Sequence, residues 1–205
     1  MEREGVIKFD LRHRDQPLDE VDMTELRTWR LLLHKLELVG QAPHRYGGLG
    51  FGNVSMRMPA GFLVSGTQTG RQVDPGPESY ALVTGWSVAE NVIESMGEVP
   101  PSSESLTHAA VYELLPDVRY VFHVHSPDIW QAQLDGASDL PVTQAGVAYG
   151  TPAMAREVAR VCTGRSLPSG FVMAGHGDGV VTYGANAEEA GLLLVGLLAT
   201  AISNA

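Results

Sequence analysis

The run of β-branched and aromatic side chains at Val118–Val124 is the tightest constraint on the fold, because such a run reads as a buried strand. Shorter strands are expected at Val54–Met58 and Phe62–Ser65, around the Pro59-Ala60-Gly61 turn, and at Tyr80–Val83, Val88–Ile93, Phe171–Ala174 and Val180–Tyr183. Between them lie helical patterns. Leu26, Trp29, Leu32, Leu33, Leu36 and Val39 recur at helical spacing over 23–39, with Asp22 and Glu25 as a start signal and Gly40 as a stop. Further helices are expected at Ser103–Leu115, from Ser126-Pro127 to Leu134, and from Pro152 to Cys162 behind a Thr151 cap. The last helix, Ala187–Ile202, is apolar nearly all round, which suits full burial or a subunit interface. Residues 1–20 read as a polar arm, with a faint strand alternation at Ile7, Phe9 and Leu11. Helices interleave with strands joined by tight turns, and no repeat or linker divides the chain. The expectation is one α/β sandwich domain over residues 1–205, with a mixed or largely antiparallel sheet.

Charge and composition narrow the function. There are 14 Lys+Arg against 24 Asp+Glu, a net charge of −10, which argues against nucleic acid or an anionic membrane surface as the main partner. A small anionic substrate stays compatible, since a pocket can be rich in N–H donors. The single cysteine, Cys162, rules out an intrachain disulfide framework and reads as a packing residue. The first residues lack an apolar signal core, and Leu192–Ile202, the longest apolar stretch, is far short of the roughly 20 residues of a membrane span. A cytoplasmic location is expected. Only two of the basic residues are lysines, Lys8 and Lys35, and neither sits among pocket-like residues, so Schiff-base and P-loop mechanisms are disfavoured.

The chemistry concentrates in three places. His123 and His125 are two apart on the buried strand, so both imidazoles project from one face at a spacing one metal ion bridges. Alone, the pair is as compatible with polar residues at a strand end. His176, flanked by glycines in AGHGDG between two strands, supplies a third ligand, and three histidines with one open position suit a catalytic ion. In PPSSESLTHAAVYE, Ser102 or Ser103 is a natural helix cap that places Glu104 in the first turn, where an anion site and a proton acceptor coincide; ordinary capping explains the same residues. His108, one turn on, reads as structural or as a support to the ligands. The Gly-rich turn GFGNVS, with Asn53, and the turn SGTQTG after a strand are donor-rich but weak signals.

In order along the chain, GNVSMRM (52–58), FLVSGTQTG (62–70), PSSESLTHAAVYE (101–113), VRYVFHVHS (118–126) and GHGDGVVTYGANAEEAG (175–191) resemble the class II aldolase/adducin superfamily. The resemblance covers roughly residues 23–202. It implies a three-layer α/β/α sandwich with a central, mainly antiparallel sheet, and a homo-oligomer, typically a tetramer. It places His123, His125 and His176 on the metal-ligand positions and Glu104 on the acidic catalytic position. Asn53, Ser65, Gly66, Ser102 and Ser103 match segments that hold substrate phosphate. The implied cofactor is a divalent ion, with Zn2+ expected and Mn2+, Fe2+ or Co2+ compatible with imidazole and carboxylate donors. The implied activity is a metal-dependent aldolase-type lyase acting on a small hydroxy-carbonyl compound, a sugar phosphate among the candidates, through a metal-stabilised enediolate. Alternatives are an epimerase or dehydratase on the same site, or a non-catalytic adducin-like scaffold. A purely structural ion is the weakest reading, since closed structural shells usually include cysteine. Two departures stand out: Asp178 follows Gly177 where an apolar residue is common in the family, and the stretch between His125 and His176 is short compared with the family's sugar-phosphate aldolases, which leaves Tyr149 unassigned to the catalytic tyrosine some of them carry.

Overall fold

The structure is a computed structural model that describes residues 5–137 and 140–204; the first four residues of the expected arm lie outside it. The strands are β1 (Asp10–Asp15), β2 (Gly40–Gln41), β3 (Gly50–Phe51), β4 (Asn53–Met58), β5 (Gly61–Ser65), β6 (Tyr80–Ser87), β7 (Val92–Gly97), β8 (Tyr120–His125), β9 (Ser169–Val172) and β10 (Gly179–Gly184). The helices are α1 (Thr24–Lys35), α2 (Ser105–Leu114), α3 (Pro127–Leu134), α4 (Pro152–Cys162) and α5 (Ala187–Ser203). Eight strands form one sheet in the order β1-β7-β6-β5-β4-β8-β10-β9; β2 and β3 form a separate small ribbon. Every pairing in the large sheet is antiparallel except that of β1 with β7.

Alternation along β8 divides the molecule into layers. Val121 packs into one core with α2 and α4 residues such as Leu106, Val111 and Val158. Phe122 and Val124 face the other, with Leu26 and Leu33 of α1, Ile129 of α3 and Leu194 of α5. His123 and His125 therefore point to the α2/α4 side, in step with Val121. The three-layer α/β/α sandwich with a mainly antiparallel sheet is the architecture expected from the sequence.

Several boundaries differ from expectation. α1 stops at Lys35, not near Val39, because Glu37 turns left-handed (φ 58) and the Leu38 N–H returns to the Leu33 carbonyl. β7 runs over Val92–Gly97 and not Val88–Ile93. Asn91, also left-handed (φ 59), reverses the chain there and spends Val88–Asn91 on a turn. The polar arm contributes a true edge strand, β1, parallel to β7, with Phe9 buried in the core beside it. α2 begins at Ser105, so Glu104 sits at the helix boundary, and its backbone N–H, not its carboxylate, is what Ser102 Oγ binds (3.2 Å). In contrast, α3 and α4 open as expected: Ser126 Oγ accepts from the Ile129 N–H and Thr151 Oγ1 from the Met154 N–H.

Candidate active site

Register builds the site. In the β4–β8 ladder Asn53 lies opposite His123, and in the β8–β10 ladder Gly179 lies opposite His125. Cross-strand partners share a face, so Asn53 joins the two histidines. Gly179 is needed where it is: a Cβ there would lie 2.8 Å from the His176 ring, which folds back over that position. The turn that carries His176 is short, closed by the Met173 N–H on the Gly179 carbonyl. From the end of β5, the Ser65 carbonyl accepts from the Ser102 N–H and ties down the segment that presents Glu104.

The result is a buried cluster of Glu104, His123, His125 and His176, whose donor atoms all lie within 4.8 Å of one another. Glu104 Oε1 is 2.9 Å from His123 Nε2 and 3.3 Å from His176 Nε2, and His125 Nε2 is 3.1 Å from His123 Nε2. Two buried imidazole nitrogens facing each other at that distance share a proton or a cation. Ligands held ~2.1 Å from one ion in a tetrahedral shell are themselves about 3 to 3.5 Å apart, so these separations fit a single divalent ion. Burial would push the Glu104 carboxyl up, but His123 and His176 outweigh it and hold that carboxyl well below its usual range, so it is ionised. Burial, then His123 and His176, hold His125 well below the usual imidazole range, in the neutral form that ligates metals. Glu104 Oε2 and Asn53 Oδ1 are buried without a hydrogen-bond partner among the described residues. A buried acceptor in that state is open to an ion, a ligand or an ordered water.

All the residues expected to hold substrate line one polar cleft with Glu104: Asn53, Ser65, Gly66, Ser102 and Ser103. Their donors differ in availability. The Ser65 hydroxyl is engaged by the Val54 backbone, accepting from its N–H (2.9 Å) and donating to its carbonyl (3.2 Å). The Gly66 amide donates to the Ser79 carbonyl. Gln68 and Thr69 extend the cleft wall, and Arg30, buried behind it, spends its guanidinium on the carbonyls of Thr69, Gln72 and Val73. No sequence signal singled out Arg30; it looked like one polar position of an amphipathic helix.

Other residues around the cluster fall into place. His108 is not beside a metal ligand by hydrogen bonding; its Nδ1 pairs with Ser55 Oγ (2.7 Å), which also meets Tyr112 OH (2.8 Å). Cys162 is buried in the core, where burial pushes its thiol up to about 11, as a packing residue requires. Lys8 corrects the sequence reading. Its Nζ lies 3.5 Å from the centre of the Tyr149 ring and donates to the Tyr149 carbonyl (3.3 Å), while that ring lies 4.5 Å from His176. The Tyr149 hydroxyl accepts from the Val6 N–H at 3.2 Å. The N-terminal segment thus reaches the edge of the site. Asp178 bonds to none of the three histidines by its side chain; it accepts from Tyr46 OH at 2.7 Å.

The sequence profile described as Class II Aldolase and Adducin N-terminal domain matches residues 42–201. No curated protein sequence matches this chain. Solved structures do. An L-fuculose 1-phosphate aldolase is 19% identical, with a TM-score of 0.67, over 90% of this chain and 85% of that one. The L-fuculose-1-phosphate aldolase from Thermus thermophilus is 22% identical, with a TM-score of 0.61, over 87% and 90%. A sugar-phosphate aldolase from Thermotoga maritima is 16% identical, with a TM-score of 0.66, over 87% and 91%. The profile spans well over half of the sequence: the chain belongs to the class II aldolase and adducin family.

Proposed function

We propose that this protein is a divalent-metal-dependent aldolase-type lyase that cleaves a small hydroxy-carbonyl compound, with sugar phosphates as the first class to test. The observation that carries the reading is the convergence of three histidine nitrogens and an ionised, buried Glu104 within 4.8 Å, with Glu104 itself lining a polar cleft. His123, His125 and His176 would hold the ion. When bound, the ion acts as a Lewis acid on the substrate carbonyl. The chain supplies the rest. Glu104 accepts the proton of the substrate hydroxyl as the carbon–carbon bond breaks, and is poised to return it to the departing carbon fragment. Asn53, Ser102 and Ser103 orient the substrate from the cleft wall, to which the loop anchored by Arg30 also contributes. The Val124 and Phe122 side of β8 packs into the opposite core, away from the site.

Two further readings accompany this one. The chain acts as a single domain and assembles into a homo-oligomer, a tetramer by family resemblance; exposed Leu192 and Ile202 on α5 supply apolar surface for such contacts. No helix among the described residues is long and apolar enough to cross a membrane, and we place the protein in the cytoplasm.

The first test is metal content per chain by plasma mass spectrometry, for wild type and His123→Ala side by side. About one divalent ion per chain, lost in the variant, is expected. Wild-type protein that takes up no ion after supplementation with zinc, manganese, iron and cobalt overturns the metal centre and returns the chain to a scaffold role. Metal-loaded protein is then assayed for cleavage of ketose phosphates. Glu104→Gln should lower turnover by about 10²- to 10⁴-fold, the usual range for loss of a proton-transfer group, at unchanged thermal stability within about 1 kcal/mol.

A further inference from the structure

Two of the non-glycine residues in the left-handed region, Tyr46 (φ 47) and Asp178 (φ 65), meet beside the histidine cluster although 132 positions apart. That conformation is unfavourable for an L-residue and persists only where the surroundings hold it. Here each residue holds the other. The Tyr46 hydroxyl donates to Asp178 Oδ2 at 2.7 Å and accepts from Arg45 Nη2 at 3.1 Å. Arg45 Nη2 also donates to the His125 carbonyl (3.1 Å), and its Nη1 to the Glu37 carbonyl (2.8 Å). The Asp178 carbonyl accepts from the Ser126 N–H, the residue after His125.

The Tyr46 ring stands edge-on to the His125 imidazole at 4.7 Å, the nearest ring to it. His176 and His123 flank it at 4.8 and 5.0 Å, and Phe51 lies further off at 5.9 Å. The β8 backbone fixes where the His125 side chain starts. Its second torsion is broad, so neighbouring rings decide where Nε2 points. Two of those rings are proposed ligands that need orienting themselves. Phe51 is held by the Arg45 guanidinium, 4.2 Å from its ring centre, but stands further from the imidazole. Tyr46 is in closer contact and is tethered through its hydroxyl to Arg45 and Asp178.

We propose that Tyr46 and Asp178 are positioning residues for the metal centre, their hydrogen bond clamping the His125 imidazole in its ligating orientation. This rests on the metal-centre reading above. Outer partners of metal ligands commonly alter affinity 10- to 100-fold.

The test uses cobalt(II) as probe on metal-free wild type, Tyr46→Phe, Asp178→Ala, Asp178→Asn and the Tyr46→Phe/Asp178→Ala double variant. The readouts are the visible absorption bands of the bound cobalt and its dissociation constant by competition with a chelator, with thermal unfolding of the metal-free proteins measured alongside. Tyr46→Phe and Asp178→Ala should each weaken cobalt binding about tenfold and shift the visible bands. Asp178→Asn, which keeps an acceptor, should lie between wild type and Asp178→Ala. The double variant should be no weaker than the weaker single one, because both remove one clamp. Wild-type bands and affinity in both single variants overturn the proposal while leaving the metal centre standing. Weaker binding with unchanged bands, tracking lower stability of the metal-free protein, also overturns it. Failure of wild type to bind cobalt overturns this proposal and the metal centre together.

Discussion

His108 shows how far burial alone moves a side chain in this protein. It is completely buried, and desolvation is the main cause that brings its imidazole down to about 3 from 6.5; Glu104 opposes that shift and His123 adds to it. Unfolded, the same imidazole titrates near its ordinary value. Above about pH 6.5 it is neutral in both states and costs nothing. As pH falls from there toward about 3, the unfolded chain takes a proton that the folded chain refuses, and stability is lost by up to about 1.4 kcal/mol per pH unit. Urea unfolding at pH 7, 5.5 and 4.5 should show a shallower pH slope for His108→Gln than for wild type, whatever their difference at pH 7; parallel slopes would contradict this. At this scale the sequence disclosed the histidine cluster well, because a two-residue spacing on a strand is a geometric statement in itself. Tyr46 escaped notice for the opposite reason. Its role comes from a left-handed backbone and from a contact with Asp178 far along the chain, and neither leaves a local pattern. Asp178 was visible as a departure from the family, yet its partner was not.

Among the elements, α4 was legible to the residue, since Thr151 and Pro152 state a helix start in side-chain chemistry. Thr151 Oγ1 accepts from the Met154 N–H (3.2 Å) and donates to the Ala148 carbonyl (2.8 Å). Thr151→Ala should cost about 1 kcal/mol in chemical unfolding, the typical value of a lost N-cap. Because the Ala148–Thr151 turn also carries Tyr149, a loss well beyond about 2 kcal/mol, the upper end for a cap alone, would show that the cap supports the site's edge as well as the helix. Strand ends were less legible. β7 was misplaced because Asn91 turns the chain within an apolar stretch, and α1 was overextended because Glu37, with no glycine to announce it, adopts the closing conformation. In both places a single residue of unexceptional type makes a conformational choice that tertiary contacts impose.

For the whole molecule, the proposed ligands come from three stretches: the segment before α2, the end of β8 and the turn between β9 and β10. They converge only when the central sheet is formed, so an ion that binds them binds the folded state in preference to the unfolded one. Added metal should therefore raise the unfolding midpoint, by an amount equivalent to about 2.7 kcal/mol at one hundred times the dissociation constant, and chelation should reverse it. His123→Ala should abolish the dependence in a thermal scan; a metal-independent midpoint in wild type would contradict the site. The layered architecture was readable from alternation, because strands that bury both faces demand cover on each. The edge strand β1 was only half visible, since its charged side chains (Asp10, Arg12, Arg14) mask a strand that packs through Phe9 and its neighbours. The grip of Val6 and Lys8 on Tyr149 carries a practical warning. A handle fused at the N-terminus starts only a few residues from the contacts that Val6 and Lys8 make with Tyr149, whose ring lies 4.5 Å from that of His176, and a polyhistidine handle would bring rival imidazoles close to the centre. α5 packs against the opposite layer, so a handle at its far end stays clear of the centre, but it needs a spacer that leaves the exposed Ile202 surface uncovered.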